Sequence, residues 1–281
     1  MTYNIRMPQQ AESEGRDLSV AIATIKSANP DIIGLQEDDE GLEVYVSALD
    51  DSYYRLSGNS NGSEYLDIYY KKDKFSLYNN QTGTVYYKDL AKTFTNVDAN
   101  GAKISDDHMG TQTGYWPNET YAGRFLRYAV LETEDGVRIL VVNTHLHYRK
   151  DSNGPTDADK LLRVYQAKLL CAWLESMETD YPNQIVLGDL NHTPSKLDST
   201  FNDGGLTHAR DTALVKGDVG ATLVWQSTYA DRDRDYVYDY ILYKNVRAVA
   251  YTVIANKNDA DGTRYPSDHL PVIAEFICYA E

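Results

Sequence analysis

The chain has 281 residues, 42 of them Asp or Glu against 27 Lys or Arg, for a formal net charge of −15. So acidic a chain is a poor general binder of nucleic acid, which needs clustered Lys and Arg; the sole compact basic cluster is Lys71-Lys72-Asp73-Lys74. No run of 18 apolar residues is present, which argues against a membrane-spanning helix, while a 42% hydrophobic share is enough for a globular core.

Met1 to Arg6 lacks the pattern of a signal peptide and reads as the interior of a strand, so a leader or upstream segment is expected to have been removed. A helix is predicted over 17–28 from the spacing of Leu18, Ala21, Ile22 and Ile25, ending near Asn29-Pro30. A buried strand over 31–37 and a tyrosine-rich strand pair at 65–70 and 74–78 follow. Residues 84–123 are rich in Thr, Asn, Asp and Gly and read as loops around short elements. Two apolar runs, 126–131 and 137–144, flank Glu134-Asp135-Gly136 and predict a hairpin. An amphipathic helix is predicted over 157–178, with Val164, Leu169 and Trp173 on its apolar face, and a buried strand at 184–187. Further strands are expected at 223–227, 236–243, 247–254 and 270–278. Cys171 and Cys278 sit in apolar stretches and are expected as buried thiols rather than a bridge. With no internal repeat and no linker composition, 1–281 reads as one domain of α/β class.

Several strand patterns end on polar groups that packing does not require. Glu37 closes Ile32-Ile33-Gly34-Leu35-Gln36, His145 closes Val141-Val142-Asn143-Thr144, Asp189 and Asn191 follow Ile185-Val186-Leu187-Gly188, and Asp268-His269 precede Leu270-Pro271-Val272. Side chains at strand ends escape the packed sheet and converge on a shared crevice. One such residue is an ordinary turn acid or a structural histidine; this many at one address point to a metal-assisted hydrolase.

The segments Thr2-Tyr3-Asn4-Ile5, Leu35-Gln36-Glu37, Asn143-Thr144-His145-Leu146, Gly188-Asp189-Leu190-Asn191, Tyr238-Asp239-Tyr240-Ile241 and Ser267-Asp268-His269-Leu270-Pro271-Val272, in that order, resemble the endonuclease/exonuclease/phosphatase family. Each motif is weak alone; six in order, spanning 2 to 276, are specific. The resemblance implies a four-layer α/β sandwich, two packed mixed and mostly antiparallel sheets flanked by helices. It implies Mg²⁺ or Mn²⁺ held by Glu37 and Asp268 with Asn4 beside them, an oxygen set suited to a hard cation. It also implies that Asp189 and Asn191 hold the attacking water, that Asp239 orients His269, and that His145 donates to a phosphate oxygen. Glu64 would pair with His145, while Asn143 and Arg124 (or Arg127) would lie on the substrate side. Which of Asp189 and His269 is the base stays open.

Other signals are weaker. His145-Leu146-His147 could begin a zinc site, but Tyr148, Arg149 and Lys150 come next rather than the acid and third histidine a binuclear zinc hydrolase needs, and His147 reads instead as a residue of the substrate rim. Asp231-Arg232-Asp233-Arg234-Asp235 resembles a calcium loop, but Tyr236 stands where glycine is needed and Leu242 where an acid is needed; Asn258-Asp259-Ala260-Asp261-Gly262 fails likewise. The expected activity is a phosphodiesterase or phosphomonoesterase on a small molecule or lipid headgroup, acting as a monomer. A deoxyribonuclease-like nuclease or a non-catalytic binding module are the alternatives. Tyr86, Tyr87, Tyr115 and Trp116 are candidates to stack on a substrate, and 24 Tyr against 5 Phe suits a wet cleft. The acidic, tyrosine-rich composition suggests an extracellular or cell-surface setting, with a cytoplasmic one as the alternative.

Overall fold

Alternation within the strands decides the layering. In β7 (Arg138–His145), Ile139 and Val141 join one apolar cluster while Leu140 and Val142 join another. In β8 (Gln184–Asp189), Ile185 and Leu187 go with the first and Val186 with the second. Side chains two apart share a face of a strand, so both faces of this sheet are covered. The second cluster also takes in Leu169, Leu170 and Trp173 of the helix Asp157–Met177, and Leu197 and Phe201 of the helix Pro194–Asp203. The first takes in Ile68 and Tyr70 of β4 (Leu66–Lys71), a strand of the other sheet. Tyr69 points the opposite way, into a third cluster with Ala21, Ile22 and Ile25 of the helix Leu18–Ala28. The order is therefore helix, sheet, sheet, helix: the expected four-layer α/β sandwich.

The computed structural model describes residues 1–7, 11, 13–38, 47–57, 66–94, 124–148, 157–224, 236–255 and 265–279. The remaining strands are β1 (Thr2–Asn4), β2 (Ile32–Gln36), β3 (Tyr53–Leu56), β5 (Phe75–Tyr86), β6 (Phe125–Thr133), β9 (Thr207–His208), β10 (Val215–Lys216), β11 (Asp239–Lys244), β12 (Arg247–Val253) and β13 (Val272–Ile277). The helices are α1 (Leu18–Ala28), α2 (Tyr87–Thr93), α3 (Asp157–Met177), α4 (Pro194–Asp203) and α5 (Ala209–Thr212). One sheet runs β10-β12-β13-β1-β2-β4-β3 and the other β5-β6-β7-β8-β11-β9. Both are mixed: β1–β2, β10–β12 and β7–β8 are parallel, and the other pairs are antiparallel.

Local chemistry sets the elements. Asp17 caps α1 by accepting from Ser19 N, and Asn29, at φ 47°, closes it in a left-handed conformation before Pro30. Gly136, at φ 78°, makes the turn of the β6–β7 hairpin. The tyrosine-rich segments at 65–70 and 74–78 do not pair with each other: β4 lies in one sheet and β5 in the other, so the turn between them crosses the sandwich. Helix α4 is short and polar on average, and Pro194 at its start with buried Leu197 and Phe201, four residues apart, marks it. Cys171 and Cys278 are free thiols; the first is buried and the second partly so. No helix among the described residues is long and apolar enough to cross a membrane.

Candidate active site

The strand faces that carry the inter-sheet core end in polar groups. Asp189 continues the face of Ile185 and Leu187, His145 that of Ile139 and Val141, and Asp239 that of Ile241. Asn4 lies on the face of β1 opposite Tyr3, which packs toward α1. These residues therefore form the last row of the inter-sheet layer, at the mouth of the sandwich. His145 is the register partner of Asp189, and Asp189 of Asp239, so the three stand in one line across β7, β8 and β11. Gly188 permits this closeness: a Cβ there would lie 2.4 Å from the carbonyl oxygen of Thr144 in β7.

Asp189 is the centre of the row. Its Oδ2 accepts from Asn4 Nδ2 at 3.0 Å and lies 3.4 Å from His145 Nε2 and 3.6 Å from His269 Nε2. Its Oδ1 accepts from the backbone N–H of Asn191 at 2.8 Å. Asn191 adopts φ 52°, a left-handed conformation asparagine tolerates, and its Nδ2 donates to Leu146 O at 3.2 Å. On the far side, His269 Nδ1 and Asp239 Oδ2 are joined at 2.8 Å.

The second sheet contributes Glu37, immediately after β2 at φ 56°, and Asp268, just before β13. Asn4 Nδ2 also donates to Glu37 Oε1 at 3.0 Å, so one amide nitrogen bridges Glu37 and Asp189. Its oxygen accepts from Arg6 N. Ser267 Oγ donates to Asn4 O at 2.8 Å and accepts from His269 N at 3.1 Å, fixing the Asp268-His269 turn against β1. Arg6 Nη1 lies 3.1 Å from Asp268 Oδ2 and its Nη2 is 2.8 Å from Glu14 Oε1.

The two imidazoles are driven apart electrostatically. Burial opposes charge on His269, but the carboxylates of Asp239 and Asp189 outweigh it and hold the ring well above the ordinary histidine range. Burial pushes His145 down to about 4, helped by the Arg124 guanidinium and opposed by Asp189 and Glu37, so that ring is neutral at physiological pH.

Asp189, Asp239 and His269 offer ligand atoms within 4.8 Å of one another and could coordinate a divalent metal. Glu37 and Asp268 stand on the other sheet, and both act on Arg6: burial disfavours its charge, but Asp268, Glu14 and Glu37 outweigh that and raise the pKa of its guanidinium. A cationic group thus stands where oxygen donors invite one.

The structure gathers Asn4, Glu37, His145, Asp189, Asn191, Asp239, Asp268 and His269 at this mouth. Arg124 lies beside them, its Nη1 donating to His145 O at 3.3 Å, whereas Arg127 Nη1 turns to Thr84 Oγ1. Asn143 does not reach the mouth, which corrects the expectation that it faces substrate. It shares the inner face of His145 but lies one row deeper, wholly buried, donating to Leu35 O and Asp67 O and accepting from Gln36 Nε2. His147 is no rim residue either: strand β7 ends at His145, and His147 is buried with its Nε2 2.8 Å from Asp159 Oδ1. Tyr87 is buried against Thr144, and Tyr86 lies against Phe125. Glu64, Tyr115, Trp116 and the two calcium-like runs lie outside the described residues. Sequence reasoning assigns no role to Arg6, two positions after Asn4, or to Ser267, which stands inside the Ser267-Asp268-His269 motif.

The chain matches the Endonuclease/Exonuclease/phosphatase family over residues 1–269. No curated protein sequence matches it. Among solved structures, it resembles an endonuclease/exonuclease/phosphatase family protein from Bacteroides thetaiotaomicron at TM-score 0.74 and 19% identity, covering 99% of this chain and 94% of that one. A mannosyl-6-phosphatase from the same organism gives 0.71 and 18%, covering 98% of each chain. Truncated TDP2 of Caenorhabditis elegans gives 0.67 and 17%, covering 99% of this chain and 96% of that one. At these identities the likeness is one of fold. The family match over nearly the whole chain, and a mouth with candidate metal donors, agree: this chain belongs to the endonuclease/exonuclease/phosphatase family.

Proposed function

We propose that the chain is a divalent-metal-dependent phosphoesterase that hydrolyses a small phosphoester by direct attack of water. The observation that carries this reading is the Asp189 carboxylate, which meets Asn4, His145 and His269 within 3.6 Å in one row at the sandwich mouth. A carboxylate so placed can accept a proton from a water held between it and the amide of Asn191. His269, kept cationic by Asp239 and Asp189, offers Nε2 to the charge that builds on the phosphoryl group. His145, neutral, offers a hydrogen bond without adding charge. Arg124, beside His145, is the residue we assign to a phosphate oxygen.

Glu37 and Asp268 are the residues we assign to the metal, with Asn4 holding Glu37 in place. A carboxylate pair suits Mg²⁺ or Mn²⁺, hard cations that take oxygen ligands. When bound, the ion supplies Lewis acidity toward the phosphoryl oxygen. The chain's acidity disfavours a long polyanionic duplex. The fold neighbour named as a mannosyl-6-phosphatase supports including sugar phosphates among the candidates.

The test is turnover of a sugar phosphate, a chromogenic phosphodiester, inositol phosphates, sphingomyelin, RNA and plasmid DNA, each with Mg²⁺, Mn²⁺, Ca²⁺ or chelator. Mg²⁺- or Mn²⁺-dependent hydrolysis of a small ester is expected, and Asp189→Asn should lower kcat by roughly 10²–10⁴-fold. Activity that survives chelation, or a folded Asp189→Asn enzyme at full rate, overturns the reading.

A further inference from the structure

Three side chains from one face of α3 grip a single residue of the loop that follows β7. Asp159 Oδ1 meets His147 Nε2 at 2.8 Å, Gln166 Oε1 accepts from His147 N at 2.8 Å, and Arg163 Nη1 donates to His147 O at 3.3 Å. Positions 159, 163 and 166 follow the i, i+4, i+7 spacing of one helical stripe, here polar and buried. Each of these buried side chains spends a hydrogen bond on His147, which offsets part of the cost of burying it, while Arg163 Nε and Gln166 Nε2 find no partner among the described residues. Side chain, N–H and C=O of His147 are all held from the same helix.

The peptide unit between Leu146 and His147 links this grip to the site. Gln166 accepts its N–H, and Asn191 Nδ2 donates to its C=O at 3.2 Å. A trans peptide is rigid and planar, so fixing the N–H end fixes where the carbonyl at the other end points. The neighbouring contacts complete the hold: Leu146 N donates to Asp189 O at 3.0 Å, and Arg124 Nη1 to His145 O. One of the two N–H groups of the Asn191 amide is thereby committed to Leu146 O, which orients the amide.

We infer that Gln166 is a positioning residue that sets the side chain of Asn191 through the Leu146–His147 peptide, with Arg163 and Asp159 anchoring the rest of His147. The inference rests on the reading of Asn191 as a working group of the phosphoesterase site. It adds a part of α3 to the machinery.

A double-mutant cycle on the full chain tests this, using the best substrate and metal from the panel. Gln166→Met removes the acceptor at similar volume, and kcat should fall about 10–100-fold with KM within about threefold, since small misplacements of reacting groups cost this much. Gln166→Glu, which keeps the acceptor, should recover most of the loss. In an Asn191→Ala background, Gln166→Met should cost less than about threefold, because the group it positions is gone. An equal loss in both backgrounds, or none in the folded single variant, overturns the inference. If Gln166→Met does not fold, Arg163→Gln runs the same cycle with the same criteria. Full activity in Asn191→Ala alone sinks the catalytic reading and the positioning role with it. A weakened Asn191→Ala beside an unaffected Gln166→Met sinks the positioning role only.

Discussion

Asp189 and Asp239 are register partners across β8 and β11, and His269, joined to Asp239 at 2.8 Å, reaches to 3.6 Å from Asp189. Two carboxylates facing each other in a buried row would repel, and the imidazolium between them relieves that repulsion while gaining a fixed orientation. Asp239→Asn keeps the shape and removes the charge. We expect kcat to fall roughly 10²-fold or more with a much smaller change in KM, because orientation and charge of the ring matter most in the transition state. Steady-state kinetics on the folded variant check this, and an unchanged kcat would remove the pair from the mechanism.

Glu37 and Asp268 lie on the other sheet, and their assignment to the metal has its own readout. Anything that binds only the folded state stabilises it by RT ln(1 + [L]/Kd), about 2.7 kcal/mol at a hundredfold excess over Kd. Millimolar Mg²⁺ or Mn²⁺ should therefore raise Tm in the native chain, and chelator should reverse the rise. Glu37→Gln should abolish the shift at the same concentration. A shift that persists in Glu37→Gln but disappears in Asp239→Asn would move the metal to the Asp189, Asp239 and His269 set.

Much of this arrangement is legible in the sequence because apolar runs at a sheet's centre must end somewhere, and their ends carry the polar groups. Glu37, His145, Asp189 and Asp268 stand out as the terminal residues of such runs. What period-two reasoning does not supply is depth. Asn143 and His145 share a face of β7, and only the height of the opposing sheet places one between the layers and the other at the mouth. Pairing across the sandwich is equally silent: β4 and β5 read as neighbours because the turn between them is short, yet that turn crosses from one sheet to the other. Arg6 escapes notice because its partners, Glu14 and Asp268, lie 8 and 262 positions away.

The depth of Asn143 makes it a stability residue. Its amide satisfies two carbonyls of the opposite sheet, Leu35 O and Asp67 O, at 2.7 and 2.8 Å. Gly34 makes room for it, since a Cβ there would come within 3.0 Å of Asn143 Cγ. Asn143→Leu removes the amide donor shared by both carbonyls and one of the three acceptors of Gln36 Nε2, and should lower unfolding free energy by about 2–4 kcal/mol, read from urea denaturation. Any loss of activity should track unfolding. A stable Asn143→Leu chain with a raised KM would return Asn143 to the substrate side.

The acid limb of stability should depend on His208. Its ring stacks on Tyr240 at 4.7 Å and meets Tyr251 edge-on, and neither ring nitrogen has a hydrogen-bond partner among the described residues. Burial, helped by the Arg210 charge, pushes its pKa down to about 3. The unfolded chain binds this proton below the ordinary histidine pKa of about 6.5 while the folded chain refuses it, so stability falls as pH drops from about 6.5 toward 3. One proton of difference corresponds to about 1.4 kcal/mol per pH unit, or about 2 kcal/mol at pH 5. His208→Phe keeps the stack and cannot be protonated. It should leave urea stability near the native value at pH 7.5 and exceed it at pH 5, the residual acid sensitivity coming from groups such as His145, whose pKa is also depressed. Equal differences between the two chains at both pH values would show that His208 does not carry the effect.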